Sequence, residues 1–246
     1  MDVPWRLPER SRRRPCSLGS YVGDQHIGVR YSERMDYQRP VEAVIPGSTG
    51  RLLAALARVE TELPISTLAT VAGVGRTRAS TIVADLHRLG LVHRREIGRT
   101  TLVALSRDNA AGELIDRLGH LRSTVLDGLR SLAAEINPPP VTLAVFGSFA
   151  RGEADADSDV DVLAVRPPGA NMEEWSSAIC LFVDRACQLT GNPVQVLDSD
   201  LDEFQRKASL RTEVGRAFWT ALRRDAVVLA GADLADLLLE RNVASR

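Results

Sequence analysis

The sequence predicts an α+β chain in two parts. A front portion of short helices is closed by a two-stranded hairpin, and a back portion alternates strands and helices around a small sheet. Three observations carry this. Apolar residues recur at helical spacing through 52–59 and 79–89 and are followed by two β-prone runs around Gly98. Past residue 140, apolar runs at 141–146, 159–165 and 226–230 read as strands, separated by helical patterns at 173–190 and 201–223. Charge divides the chain at the same place. Residues 41–107 hold nine Arg and Lys against five Asp and Glu, whereas residues 141–246 hold eleven against seventeen. A net charge of −1 conceals that polarity. A basic part suits a phosphate backbone and an acidic pocket suits a divalent ion.

Composition sets the outer bounds. With 246 residues, 44% hydrophobic and only 4% aromatic, the chain can pack one large or two small cores filled by Leu, Val, Ala and Ile. Cys16, Cys180 and Cys187 are few and lack metal-ligand spacing, which excludes a disulfide framework and points to a reducing cytoplasm. Cys180 and Cys187 read as small core residues. No apolar run reaches membrane-spanning length, and the first residues lack the apolar stretch of a secretory signal.

Residues 1–40 read as a tail, because Pro4, Pro8, Pro15, Gly19, Gly23 and Gly28 interrupt every periodicity. Three readings stand for it: disorder, a basic arm through Arg12-Arg13-Arg14 that reaches DNA, or a translation start at Met35. Residues 41–107 form the first domain. Leu52, Leu53, Leu56 and Val59 make one helical face after the cap candidate Ser48, and Pro64 breaks the chain. Ser66 is the cap candidate for a short helix through Leu68, Ala69 and Ala72. Gly73-Val74-Gly75 turns the chain into a second helix whose Ala79, Ile82, Val83, Leu86 and Leu89 face inward, and Gly90 stops it. Leu91–Ile97 and Thr100–Leu105 then flank Gly98-Arg99 as a hairpin.

Helix, helix, tight turn, helix and hairpin, with the run LHRLGLVHRREIGRTTLVAL, resemble a winged helix-turn-helix domain of the MarR/ArsR-like kind. The resemblance implies binding of double-stranded DNA. Arg76, Thr77, Arg78 and Thr81 lie at the start and outer face of the second helix, where base edges are met, and Arg94, Arg95 and Arg99 lie on the hairpin, where phosphates are met. Between Val74 and Arg107 seven Arg face only Asp85 and Glu96. The alternative is a solvated surface on a protein-interaction module. His87 and His93 read as surface or hairpin residues rather than ligands. Residues 108–140 form a helical connector and a proline joint. Leu114, Ile115, Leu118, Leu121, Val125, Leu126, Leu129 and Leu132 give an apolar stripe that is buried on the chain's own core or in a homodimer through residues 108–135. Pro138-Pro139-Pro140 marks the boundary to a last domain, residues 141–246.

In that domain the apolar run 141–146 leads into Gly147-Ser148, then Arg151-Gly152, an acidic loop with Glu153, Asp155 and Asp157, and Ser158-Asp159-Val160-Asp161. Two carboxylates two positions apart on a strand share one face, and they repel each other unless a cation lies between them. Mg²⁺ (or Mn²⁺) prefers oxygen ligands and leaves positions open for substrate phosphates. Gly147 lets backbone approach a phosphate, and Ser148 offers N–H and O–H donors.

FGSFARGEADADSDVDVLAV resembles the signature of the DNA polymerase β-type nucleotidyltransferases, in particular small bacterial members. The resemblance implies an α/β domain with a small mixed sheet. Gly147 and Ser148 would hold a nucleoside triphosphate, with Arg151 a weaker candidate that can instead pair with the acidic loop. Asp159 and Asp161 would hold the metal. It also implies a third carboxylate on a later strand, and Gln195 in Gly191-Asn-Pro-Val-Gln-Val-Leu197 takes its place; Asp198 is the alternative. Asp198, with Asp200 and Glu203, otherwise reads as turn and helix capping. An amide is no general base. Three functions follow: nucleotidyl transfer from an NTP to an acceptor hydroxyl, a transcription regulator that senses nucleotide without turnover, and an antitoxin-like partner of a toxin.

Overall fold

The computed structural model describes residues 34–208 and 213–237, which fall into two compact units. Cys16 and the Arg12–Arg14 run lie outside the described residues.

The first unit takes in residues 35–128 and the loop 152–158. Its chain runs α1 (Pro40–Val44), α2 (Ser48–Ala57), β1 (Leu63–Pro64), α3 (Ile65–Val71), α4 (Arg76–Arg88), β2 (Val92–Ile97), β3 (Thr100–Leu105) and α5 (Ala110–Gly119). The apolar spacing read from the sequence is the buried face: Leu52, Leu53 and Leu56 on α2, and Ala79, Ile82, Val83 and Leu86 on α4, pack with Leu68, Val92, Val103 and Leu105. Leu89, placed inward by the same reading, is 67% exposed because the helix has already ended there.

Several local expectations need correction. Ser48 is the first residue of α2 and not its cap; Gly47, at φ 87°, stands at the cap position. Likewise Ser66 lies inside α3, which Pro64 opens. Pro64 does interrupt the helices, and with Leu63 it forms a short edge strand antiparallel to β3, at Leu63↔Val103 and Pro64↔Leu102, giving the order β1-β3-β2. An edge strand tolerates proline because one side of it makes no ladder bonds. The tail does not extend to residue 40. Tyr37 is buried, and its N–H donates to the Ala154 carbonyl at 3.0 Å.

The connector is two helices, α5 and α6 (Leu121–Ala133). Ile115, Val125, Leu126 and Leu129 of the stripe are buried within this chain, while Leu114 is 63% exposed. The division between the units falls within α6, after Gly128.

The second unit holds β4 (Thr142–Phe146), α7 (Gly147–Arg151), β5 (Val160–Arg166), α8 (Met172–Thr190), β6 (Val194–Asp200), α9 (Leu201–Ala208), α10 (Glu213–Asp225) and β7 (Val227–Gly231). The strand order is β6-β5-β4-β7, with β5–β6 parallel and the other two pairings antiparallel, so the sheet is mixed. Ala144, Phe146, Leu163 and Val165 face a core closed by Phe204, Trp219, Leu222, Leu234 and Leu237. Asn171 caps α8, accepting from the Glu173 and Glu174 amides, and Trp175, Ile179, Phe182 and Ala186 of that helix are buried. Cys180 and Cys187 are half-buried, and the Cys187 sulfur accepts from the Val194 amide at 3.3 Å. Among the described residues no helix is long and apolar enough to cross a membrane.

Candidate active site

The site lies where β4 ends beside the start of β5. Phe146, the last residue of β4, pairs with Asp161. The chain then enters α7 through Gly147 at φ 74°, a region that an L side chain rarely adopts. A Cβ on Gly147 would come within 2.5 Å of Asp161 Oδ2, so the carboxylate takes up the space the missing side chain leaves. Only glycine allows that approach. Ser148 follows, half-buried.

Asp161 alternates with Val160 and Val162, which are buried at 1% and 0% exposure, so the strand pleat turns Asp161 the other way. Asp159 immediately precedes the strand rather than belonging to it. The two carboxylates influence each other. Asp161 is pushed up to about 6, first by burial and then by the negative charge of Asp159, against a smaller opposing effect of Arg151. Loss of water around the carboxylate and a like charge nearby both disfavour its ionised form.

Both oxygens of Asp159 are occupied. Oδ1 accepts from Arg34 Nη1 at 3.1 Å, and Oδ2 accepts from Gln195 Nε2 at 2.5 Å. The β5–β6 register places Gln195 beside Asp161. Asp198 lies three positions on, beside Ala164, and is engaged there: it accepts from Arg166 Nη1 at 2.8 Å and from Trp175 Nε1 at 3.1 Å. Asp200 caps α9, accepting from the Glu203 amide at 2.7 Å. Arg151 lies 4.0 Å from Asp225, at the end of α10. Glu153, Asp155 and Asp157 are exposed.

Three participants escape a reading of the sequence. Arg34 falls in the stretch that reads as a tail. Trp175 and Asp225 belong to helices that no local motif ties to the Gly-Ser turn. Only the acidic residue just before the last strand run gives a signal, and it carries no spacing rule.

Chemically, Asp159 and Asp161 can hold one hard divalent ion. No third Asp, Glu, His or Cys joins them in a cluster among the described residues. Two protein carboxylates nonetheless suit Mg²⁺, which keeps its remaining positions for water and phosphate oxygens. Raised Asp161 and the close approach at Gly147 fit such a site, since a cation would relieve the repulsion that burial enforces.

Residues 126–212 match the nucleotidyltransferase domain family. Curated relatives agree with the match. Bifunctional uridylyltransferase/uridylyl-removing enzymes of Burkholderia mallei (strain SAVP1) and Burkholderia pseudomallei (strain 668) are each 30% identical over 114 residues, which is 45% of this chain and 13% of theirs. This chain therefore corresponds to a small part of those relatives. Two solved structures are more distant. A toxin–antitoxin complex with AMP-PNP has a TM-score of 0.32 and 13% identity, covering 49% of this chain and 86% of that one. The archaeal chromatin protein TrmBL2, which shows a novel mode of DNA binding, has a TM-score of 0.26 and 16% identity over 75% of this chain and 76% of that one. Scores this low do not establish a shared fold.

The other predicted contact residues lie in the first unit. Arg76, Thr77, Arg78 and Thr81 are exposed on the first turns of α4, and the Thr81 hydroxyl donates to the Thr77 carbonyl. Arg94, Arg95 and Arg99 are exposed on and beside the hairpin. Two of these three are already paired: Arg94 with Glu96 at 2.8 Å, and Arg95 with Glu62 of the segment before β1.

Proposed function

We propose that the second unit binds a divalent metal–nucleoside triphosphate and transfers its nucleotidyl group slowly, if at all, to an acceptor hydroxyl. The observation that carries this is Asp161, packed against Gly147 and under the negative charge of Asp159, inside the matched segment. Gly147 and Ser148 would receive phosphates and Arg151 would contact them, while Asp159 and Asp161 would hold Mg²⁺ or Mn²⁺. The bound ion would neutralise phosphate charge and polarise the reacting phosphoryl group. In transfer, the acceptor oxygen bonds to the α-phosphorus, the bond from that phosphorus to the bridging oxygen breaks, and pyrophosphate departs. The acceptor's proton needs a base, and the amide of Gln195 cannot supply one.

A second reading is nucleotide sensing without turnover, favoured by the Gln195 hydrogen bond to Asp159. Incubation of the protein with each labelled NTP and Mg²⁺ or Mn²⁺, scoring label on the protein itself, on RNA and on co-purified partners such as a toxin, separates the two. Label with pyrophosphate release establishes transfer. Binding without release establishes sensing.

For the first unit we propose a winged helix that binds double-stranded DNA, with α4 in the major groove and the hairpin on phosphates. Support comes from the exposed Arg76, Thr77, Arg78 and Thr81 at the start of α4 and from the arginine excess of the surrounding sequence. Because Arg94 and Arg95 must give up carboxylate partners, Arg99 is expected to contribute more per residue. In full-length protein, Arg99→Ala should flatten the log–log salt dependence of DNA affinity by roughly 0.9 for each phosphate that is no longer neutralised. Arg76→Ala and Arg78→Ala should alter sequence preference more than slope. Gel shifts on the protein's own promoter at several salt concentrations check both. Salt-independent or absent binding leaves the protein-interaction reading.

A further inference from the structure

α8 buries Trp175, Ile179, Phe182 and Ala186, yet Leu181 on the same helix is 60% exposed. Leu181 belongs to a second row. Glu174, Ala178, Leu181 and Arg185 follow one another at steps of four, three and four, the spacing of residues that face a partner helix. Glu174 is exposed and Ala178 half-buried. Beside this row opens a cavity of about 200 Å³. Leu132 at the end of α6, Ile136 just after it and Phe182 of α8 give it an apolar lining, and Ala178 and Leu181 border it. Leu132 comes from the connector stripe whose spacing calls for cover. Arg185 also lines the cavity and is held by both oxygens of Glu135, with Nη2 donating to Oε1 at 3.2 Å. A guanidinium carries five N–H donors, so this pairing leaves Arg185 able to meet a second carboxylate.

We propose that α8 pairs antiparallel with α8 of a second copy of this chain across a two-fold axis, each Leu181 entering the cavity of the other copy. The occupant follows from the order of the row, which is acid, small, large, base. Antiparallel pairing about the level midway between residues 179 and 180 sets each Glu174 against an Arg185 and each Ala178 against a Leu181. Both pairs share that one midpoint, so a single axis satisfies them together. A two-fold interface requires this self-complementarity, because every contact across it occurs twice with the roles exchanged. Ala178 leaves the space that Leu181 fills, and Leu132, Ile136 and Phe182 supply the apolar floor. Parallel pairing would set Glu174 on Glu174 and Arg185 on Arg185, which like-charge repulsion disfavours. None of these residues belongs to the Gly147–Asp161 corner, so the pairing stands independently of the nucleotide reading.

Sedimentation equilibrium of the full chain over a wide concentration range tests this. The native protein is expected to be a reversible dimer. Leu181→Asp places a charge in the apolar cavity, and Glu174→Arg sets two arginines face to face at both ends of the seam. Each should raise the dimer dissociation constant about tenfold or more. Both positions are exposed in the single chain, so circular dichroism should show the native fold in the two variants. Charge reversal supplies the decisive arm. Arg185→Glu added to Glu174→Arg restores opposite charges across the axis and should recover much of the lost affinity, which a purely local role for either residue would not produce. A native protein that stays monomeric at every concentration overturns the proposal, and a lower melting temperature of monomeric Leu181→Asp would then assign the cavity to another segment of the same chain. A dimer that is indifferent to Leu181→Asp and Glu174→Arg also overturns it, and places the interface elsewhere. Failure of the double charge reversal to bind better than Glu174→Arg alone, with both folded, rejects the antiparallel register.

Discussion

Replacing both Asp159 and Asp161 by Asn is expected to abolish the Mg²⁺-dependent part of NTP affinity while leaving the fold intact. Asp161 lies against Gly147, and burial together with the like charge of Asp159 raises it to about 6. A divalent ion is the natural partner for two such groups, because it compensates both the missing water and the mutual repulsion. Asparagine keeps the shape and removes both charges. The same substitution releases Arg34 and alters the Gln195 contact, but each of these bonds involves only Asp159. Arg34→Ala is therefore the control: it removes the cation that already sits on Asp159 and should not weaken Mg²⁺–NTP binding. Calorimetry with and without Mg²⁺ reads the effect, and circular dichroism checks the fold. Unchanged Mg²⁺–NTP affinity in the double variant would rule out this site.

What can be read from the sequence is what repeats or what is local. α4 is legible because Ala79, Ile82, Val83 and Leu86 mark one face at helical spacing. The hairpin is legible because two β-prone runs meet at Gly98. α1 and β1 are not, since five and two residues are too few to show a period, and β1 is held by pairing with β3, distant in sequence. The cap assignments fail for a related reason. A serine next to a helical pattern is a common cap, but Gly47 and Pro64 occupy the entry positions and push Ser48 and Ser66 into the first turn.

The candidate site divides along the same line. Gly147, Ser148, Asp159 and Asp161 are near one another in sequence, joined by one turn and one loop, so their pattern is visible. Residues brought in from elsewhere are not. Asp198 reads as part of a capping run, and Asp200 does cap α9, yet Asp198 is tied to Arg166 and to the buried Trp175, 23 positions earlier. Asp225 faces the Gly-Ser turn only because β7 returns beside β4, with Val227 opposite Val145. Sheet order of that kind follows from packing and not from any local spacing.

Gln195→Asp is expected to raise the nucleotidyl transfer rate by roughly 10²–10⁴-fold, the usual worth of a positioned general base. The β5–β6 register sets residue 195 directly beside Asp161, and its amide already reaches Asp159. A carboxylate at 195 would therefore join the other two at the same corner, where it could take the acceptor's proton. Its cost is also predictable. A third negative charge replaces a hydrogen-bond donor to Asp159, so the variant should melt at a lower temperature than the native protein without divalent ions and recover when Mg²⁺ is added. That recovery is a readout independent of catalysis. Asp198→Asn separates the remaining alternative. The Asp198 carboxylate is held by Arg166 and Trp175, so this change should lower stability and leave transfer unaffected. Brisk transfer by the native protein that disappears in Asp198→Asn would make Asp198 the third carboxylate and contradict the observed register. Brisk native transfer that survives the change would mean that two carboxylates suffice, with the base supplied by the acceptor. Slow native transfer that Gln195→Asp accelerates identifies position 195 as the one that sets the rate.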